Sequence, residues 1–279
     1  MDIQRKLAVA TAVIMAVTCL AACGGTATPT AAPVPASLQA GTATFTVVPI
    51  AAPMPSPSAA APATPAPTAM PLPVAVQTVA VEDKYVEIHT LYPVVSGMKD
   101  RPFEKDMNEQ AKNGMLARVK ELQAQAKAFH KEAKERDFPF NQFTLDANIS
   151  VHTNDGTLLS MTNRFYTYTG GAHGISDGIY TNVLNTLPAR SLTLPRIFTD
   201  PAKGIERINR QIKAQMGKED YFFPDTFKTV DDKTWFYIER PDLVIVFPEY
   251  AIAPYAAGEP EFKIPLTSLS DILIPGIAR

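Results

Sequence analysis

From Leu7 through Val81 the chain carries no Asp, Glu, Lys or Arg, and this stretch limits what the chain can fold into more than any other feature. Gly24 to Val81 is built from Ala, Pro, Thr, Ser and Val and holds twelve of the chain's 25 prolines. Proline has no amide hydrogen to donate and a fixed φ, so Pro-Ser-Pro-Ser and Ala-Pro-Ala-Thr-Pro-Ala-Pro cannot enter a helix interior or a central strand. The segment reads as a disordered, partly polyproline tether, reaching roughly 40 Å as a coil and about 180 Å fully extended. From Glu82 onward charges are dense and mixed in sign, which leaves 82–279 to fold. A chain of that size buries roughly 70% of its unfolded surface. The net charge of −2 offers nothing that would draw in nucleic acid.

Ahead of the tether stands a targeting signal. Arg5 and Lys6 precede an apolar run from Leu7 to Leu20, and Leu20-Ala21-Ala22-Cys23 closes it with small residues. The run falls short of the ~20 residues that span a bilayer, and small residues at its end suit a signal peptidase. The pattern resembles the bacterial lipobox, which implies that 1–22 are removed and that Cys23 is acylated as the mature N-terminus. An ordinary signal peptide with an incidental cysteine is the alternative. Cys19 goes with the leader, so no disulfide is expected in the mature chain. The expected first partner is therefore the lipid bilayer, through acylated Cys23. Gly24, rather than Asp, follows the cysteine, which implies the outer membrane, facing the periplasm, in a cell with two membranes.

In the folded part, Tyr85 to Leu91 alternates as a first strand. Phe103, Met107, Ala111, Met115, Val119, Leu122, Ala126 and Phe129 then mark one face of a long helix over 102–135, with Gly114 as a point of bending or breakage. Phe143, Leu145, Ala147, Ile149 and Val151 alternate as a strand with one buried face, and Asn154-Asp155-Gly156 turns it back. Thr157 to Thr169 returns, and Ile179 to Leu184 leaves the next turn. Ser191 to Leu194 reads as a short strand. Asp200-Pro201 opens a second, shorter helix with the stripe Ile205, Ile208, Ile212, Met216 and a stop at Gly217. Strands follow at Thr234–Glu239, Leu243–Phe247 and Glu261–Ile264. The expectation is an α+β fold: an antiparallel sheet meander with one long and one shorter amphipathic helix. It reads as one domain, 82–279, or as two subdomains, 82–150 and 151–279.

The candidate site is the turn after the aromatic strand, with Tyr166, Tyr168, Gly170, Gly171, His173 and Gly174. Three glycines within five residues suggest a backbone path that side chains would obstruct. His173 at its tip could be a general base, yet the sequence offers it no partner, and a ring hydrogen-bonded across the turn is the structural reading. His89, His130, His152 and His173 stand about twenty or more positions apart, so no short-spaced metal pair occurs and neither metal nor cofactor is expected. Trp235, Phe236, Tyr250 and Tyr255 form a candidate aromatic surface, weighed against a core role. Asp231, Asp232 and Glu239 are candidate acid/base carboxylates without an evident pairing.

Three motifs occur in order: Tyr-Thr-Gly-Gly-Ala-His-Gly, then Leu-Thr-Leu-Pro-Arg-Ile-Phe-Thr-Asp before a helix, then Tyr-Ala-Ile-Ala-Pro-Tyr-Ala-Ala-Gly. Together they resemble the domain of unknown function found extracellularly in the anti-sigma factor RsiV and N-terminally in the peptidoglycan deacetylase PdaC. The resemblance covers 82–279. It implies a binding or sensing module of the cell envelope, and the RsiV version recognises lysozyme. With no cytoplasmic segment ahead of its anchor, this chain is not expected to signal inward. With no catalytic domain after the motifs, deacetylase activity does not carry over. The expected function is a non-catalytic module for lysozyme-like enzymes or peptidoglycan. The alternatives are a cell-wall glycan hydrolase or deacetylase using His173, and a structural lipoprotein that binds another envelope protein.

Overall fold

The computed structural model of the chain describes residues 70–223 and 225–277. The leader, Cys23 and nearly all of the tether lie outside the described residues. Six strands form one sheet in sequence order: β1 (Val74–Glu82), β2 (Val86–Val95), β3 (Phe143–Asn154), β4 (Leu158–Tyr168), β5 (Ile175–Leu184) and β6 (Arg190–Ser191). The tether's expected end at Val81 is thus too late, because β1 runs antiparallel to β2 from Val74↔Val95 to Glu82↔Glu87. The strand expected first is the second.

The meander expectation holds from β3 to β6 and fails at one pair. β2 and β3 are parallel, in register from Val86↔Phe143 to His89↔Asp146. Between them runs α1 (Arg101–Glu135), and a helical crossover returns the chain in the direction it came from. The sheet is mixed, within an α+β fold. Asp100 accepts the Phe103 amide hydrogen at the start of α1, Pro102 follows, and the helix passes Gly114 without a break. Its stripe, Met115, Val119, Leu122 and Ala126, packs on Val86, Ile88, Phe143, Leu145 and Phe165 of β2, β3 and β4.

α1 covers only the first half of β3, so Val151, expected inside, is 44% exposed. A bulge between Val151 and Thr153 then turns Thr153 to the opposite face of the sheet.

That opposite face carries a second layer. α2 (Pro201–Met216), capped by Asp200, packs with an antiparallel sheet of β7 (Trp235–Glu239), β8 (Asp242–Val246) and β9 (Glu261–Pro265). The short strand expected at 191–194 is met in part by β6, which ends at Ser191, and the chain then enters this core through a short 3-10 turn, Leu194–Ile197. β8 is almost wholly buried, as its unbroken apolar run requires.

β7 is an edge strand, and side chains of the first sheet bond three of its free backbone groups. Thr153 Oγ1 donates to the Ile238 carbonyl at 2.7 Å, and Ser160 Oγ accepts the Ile238 amide at 2.8 Å. Asn182 Nδ2 donates to the Phe236 carbonyl at 2.8 Å while its Oδ1 accepts from Ser160 Oγ at 2.7 Å. These buried polar residues on β3, β4 and β5 are therefore the seat of the second sheet.

Candidate functional site

The β4–β5 turn is built from close approaches. Gly170 adopts φ +84°, open to glycine at little cost. Gly174 lies against the end of β4: a Cβ there would come 2.4 Å from the Tyr166 ring and 2.8 Å from the Thr167 carbonyl. The Gly174 amide instead donates to the Tyr166 hydroxyl at 3.0 Å. Gly171 meets nothing nearer than 4.0 Å, so only two of the three glycines are required by the path.

His173, in this turn, packs against the loop 247–260 between β8 and β9. Its ring stacks on Tyr255 at 3.9 Å and 24°, and its Nε2 lies 3.2 Å from the Tyr250 hydroxyl. Nδ1 is 3.0 Å from the Gly174 carbonyl, an acceptor only, so Nδ1 donates to it, and in the neutral ring Nε2 accepts from the Tyr250 hydroxyl. Tyr255 donates to the same Gly174 carbonyl at 3.2 Å. Burial, followed by the nearby Glu249 carboxylate, holds the Tyr255 phenol above its ordinary pKa. Tyr250 itself is held at φ +65°, unusual for a residue with a side chain. The rim is aromatic and accessible: Tyr166 is 41% and Tyr250 51% exposed.

The fold thus brings together Tyr166, Gly170, Gly174, His173, Tyr250 and Tyr255. The remaining expected residues lie elsewhere. Tyr168 accepts from Asn141 at 3.4 Å on the far side of the turn. Trp235 stacks on Tyr180, with ring centres 5.2 Å apart. Phe236 is 3% exposed and part of the second core, so the four-residue aromatic surface expected from sequence reduces to its loop half, Tyr250 and Tyr255. Asp231 is spent on its own turn, accepting from Lys233 and Thr234. Glu239 lies 3.5 Å from His152, whose ring stacks on Tyr237 at 3.8 Å and whose pKa burial pulls below its usual value.

One cluster escaped the sequence reading. Arg164 on β4 reaches across to the start of β9 and the loop before it, with Nη1 3.1 Å from Glu261 and Nη2 2.7 Å from Glu259. Glu261 also accepts from the Tyr237 hydroxyl at 3.0 Å. Beside them, burial drives the Tyr180 phenol far above its ordinary pKa. The cluster borders an open cleft of about 520 Å³ lined by Asp146, Asn148, Arg164, Tyr166, Ser176 and Glu259, among others. A guanidinium in the middle of a strand was the available signal. Its carboxylates, almost a hundred residues downstream, were not predictable from spacing.

Comparison with known proteins places the two loops in two family segments. Residues 79–176 match the family described as deacetylase PdaC, and residues 196–267 match a protein family of unknown function, DUF3298. The anti-sigma-V factor RsiV of Bacillus subtilis (strain 168) is 29% identical over 194 residues, covering 65% of this chain and 64% of RsiV. The folded chain is similar to the RsiV-like and PdaC-like domains. The chain spans somewhat less than two thirds of that relative's length. A crystal structure of a DUF3298 family member from Bacteroides fragilis NCTC 9343 shares its fold. The TM-score is 0.55 and the identity 21%, over 73% of this chain and 94% of the other. In this chain, His173 and Arg164 belong to the first matched segment, and Tyr250, Tyr255, Glu259 and Glu261 to the second. The hydrogen bonds and ion pairs of the site therefore join the two. Among the described residues no helix is long and apolar enough to cross a membrane.

Proposed function

We propose that this chain is a cell-envelope lipoprotein whose RsiV-like domain binds, without catalysis, a lysozyme-like enzyme or peptidoglycan. The binding surface is formed by Tyr166, His173, Tyr250 and Tyr255. One observation carries the reading: both ring nitrogens of His173 are engaged in the clasp between its own turn and Tyr250. A general base needs a nitrogen within reach of a substrate proton, whereas this ring serves as a spacer that sets three tyrosines side by side. Tyrosines give large, stiff contact area at low entropic cost, which favours them at binding surfaces. The relationship to an anti-sigma factor and to the PdaC family supports an envelope setting. The lipobox-like Leu20-Ala21-Ala22-Cys23 supports the anchor.

The deciding experiment measures the full chain, carrying Cys23→Ser for solubility, against hen lysozyme and muropeptides. Saturable binding without turnover is expected, and Tyr250→Ala should weaken it about tenfold, the loss of a contact worth ~1.4 kcal/mol, at an unchanged melting temperature. Turnover of a glycan, with or without added zinc, that disappears in His173→Ala would show the domain to be a hydrolase or deacetylase. Binding to neither ligand would favour another envelope protein as partner. The anchor has its own readout: Cys23→Ser should move the expressed protein from the membrane fraction to the soluble one. An unchanged fractionation would remove acylation from the account.

A further inference from the structure

The cleft beside the tyrosine rim has an unbalanced charge. Its walls carry Asp146, Glu259 and Glu261 against a single cation, Arg164. Glu259 is the decisive member. Its side chain is only 8% exposed, one oxygen is taken by Arg164, and the other, Oε1, has no hydrogen-bond partner among the described residues. A buried carboxylate oxygen without a donor is costly, and its natural complement is a charged N–H group.

We propose that this cleft is a subsite for one cationic side chain, Lys or Arg, presented by a protein partner, with Glu259 as its principal acceptor. The proposal rests on the reading of the domain as a binding module and names what that module recognises. Asp146, exposed on β3, adds a second carboxylate along the path of entry. The exposed ring of Tyr166 offers a face over which a cation can pass. Arg164 remains the internal counter-ion that keeps Glu259 and Glu261 in place. Burial raises the pKa of Glu259 despite that arginine, and an added cation would act against that shift. The occlusion of Oε1 also selects the carrier. Lys and Arg bring their charge on a long flexible stem. The amine of an amino sugar is fixed directly to a bulky ring.

The test uses the full chain with Cys23→Ser, followed by NMR, and two probes: Nα-acetyl-arginine amide and its neutral analogue Nα-acetyl-citrulline amide. The arginine probe should shift the Asp146 and Ser176 amide signals saturably, and the citrulline probe should not. Glu259→Gln should weaken the arginine probe about tenfold. Asp146→Asn, at an exposed position outside the ion-pair cluster, should weaken it about twofold. Equal shifts with citrulline, or full affinity in both variants, would overturn the subsite. A glucosamine trimer that binds this cleft while the arginine probe does not would overturn the assignment to a protein partner. Lysozyme binding that is undiminished by Glu259→Gln would sink the subsite and leave the binding module standing. Loss of lysozyme binding in the parent chain, with the arginine probe still bound, would do the reverse.

Discussion

At the scale of single residues, the glycine turn shows how far composition reaches. Three clustered glycines announce an obstructed path, but only coordinates say which of them is obstructed. Gly174→Ala should destabilise by about 2–3 kcal/mol, because the methyl group would collide with the Tyr166 ring and the Thr167 carbonyl. Gly170→Ala should cost about 1 kcal/mol, through its positive φ alone. Gly171→Ala, with no neighbour closer than 4.0 Å, should fall within about 0.5 kcal/mol of the parent. Urea unfolding of the three variants checks the order, and equal losses at Gly171 and Gly174 would refute it. His173 was legible as the tip of the turn, whereas its partner was not. Tyr250 lies 77 positions away, and no local pattern links the two. Arg164 and Glu259 fail to announce each other for the same reason.

At the scale of elements, periodicity performed as physics predicts. α1, α2 and the first half of β3 follow from repeats of 3.6 and 2, because one face of each is buried, and β8 follows from its unbroken apolar run. β1 did not follow, and its environment explains why. It is an edge strand with mostly exposed residues and no charge before its last residue, Glu82, so its composition continues that of the proline-rich stretch before it. The direction of β3 relative to β2 was equally hidden, since pairing direction depends on where α1 lands. The seat of β7 was hidden too, since Ser160 and Asn182 look like polar interruptions in apolar strands. Asn182→Ala should leave the Phe236 carbonyl buried without its donor and cost about 2 kcal/mol. Chemical denaturation provides the measurement. A cost below about 0.5 kcal/mol would mean that the edge of β7 is satisfied in another way.

At the scale of the molecule, the question is where the folding unit begins. Composition put the boundary at Glu82, where charges start. The structure puts it near Leu72, which is buried and exchanges two hydrogen bonds of 2.8 Å with Asn154, at the far end of β3. β1 then pairs with β2 along its whole length, and Val79 and Val81 pack on the core beneath α1. A chain starting at Glu82 would therefore expose the full edge of β2 and empty the Leu72 position beside Val95 and Met98. Burying one Leu alone contributes roughly 2 kcal/mol, which corresponds to several degrees of melting temperature in a domain of this size. A chain starting at Met70 should melt with the full-length protein, and one starting at Glu82 should melt at least about 5 °C lower, through a broader transition. Identical melting curves for the two truncations would show that β1 adds nothing to the folded unit and would return its boundary to the first charged residue.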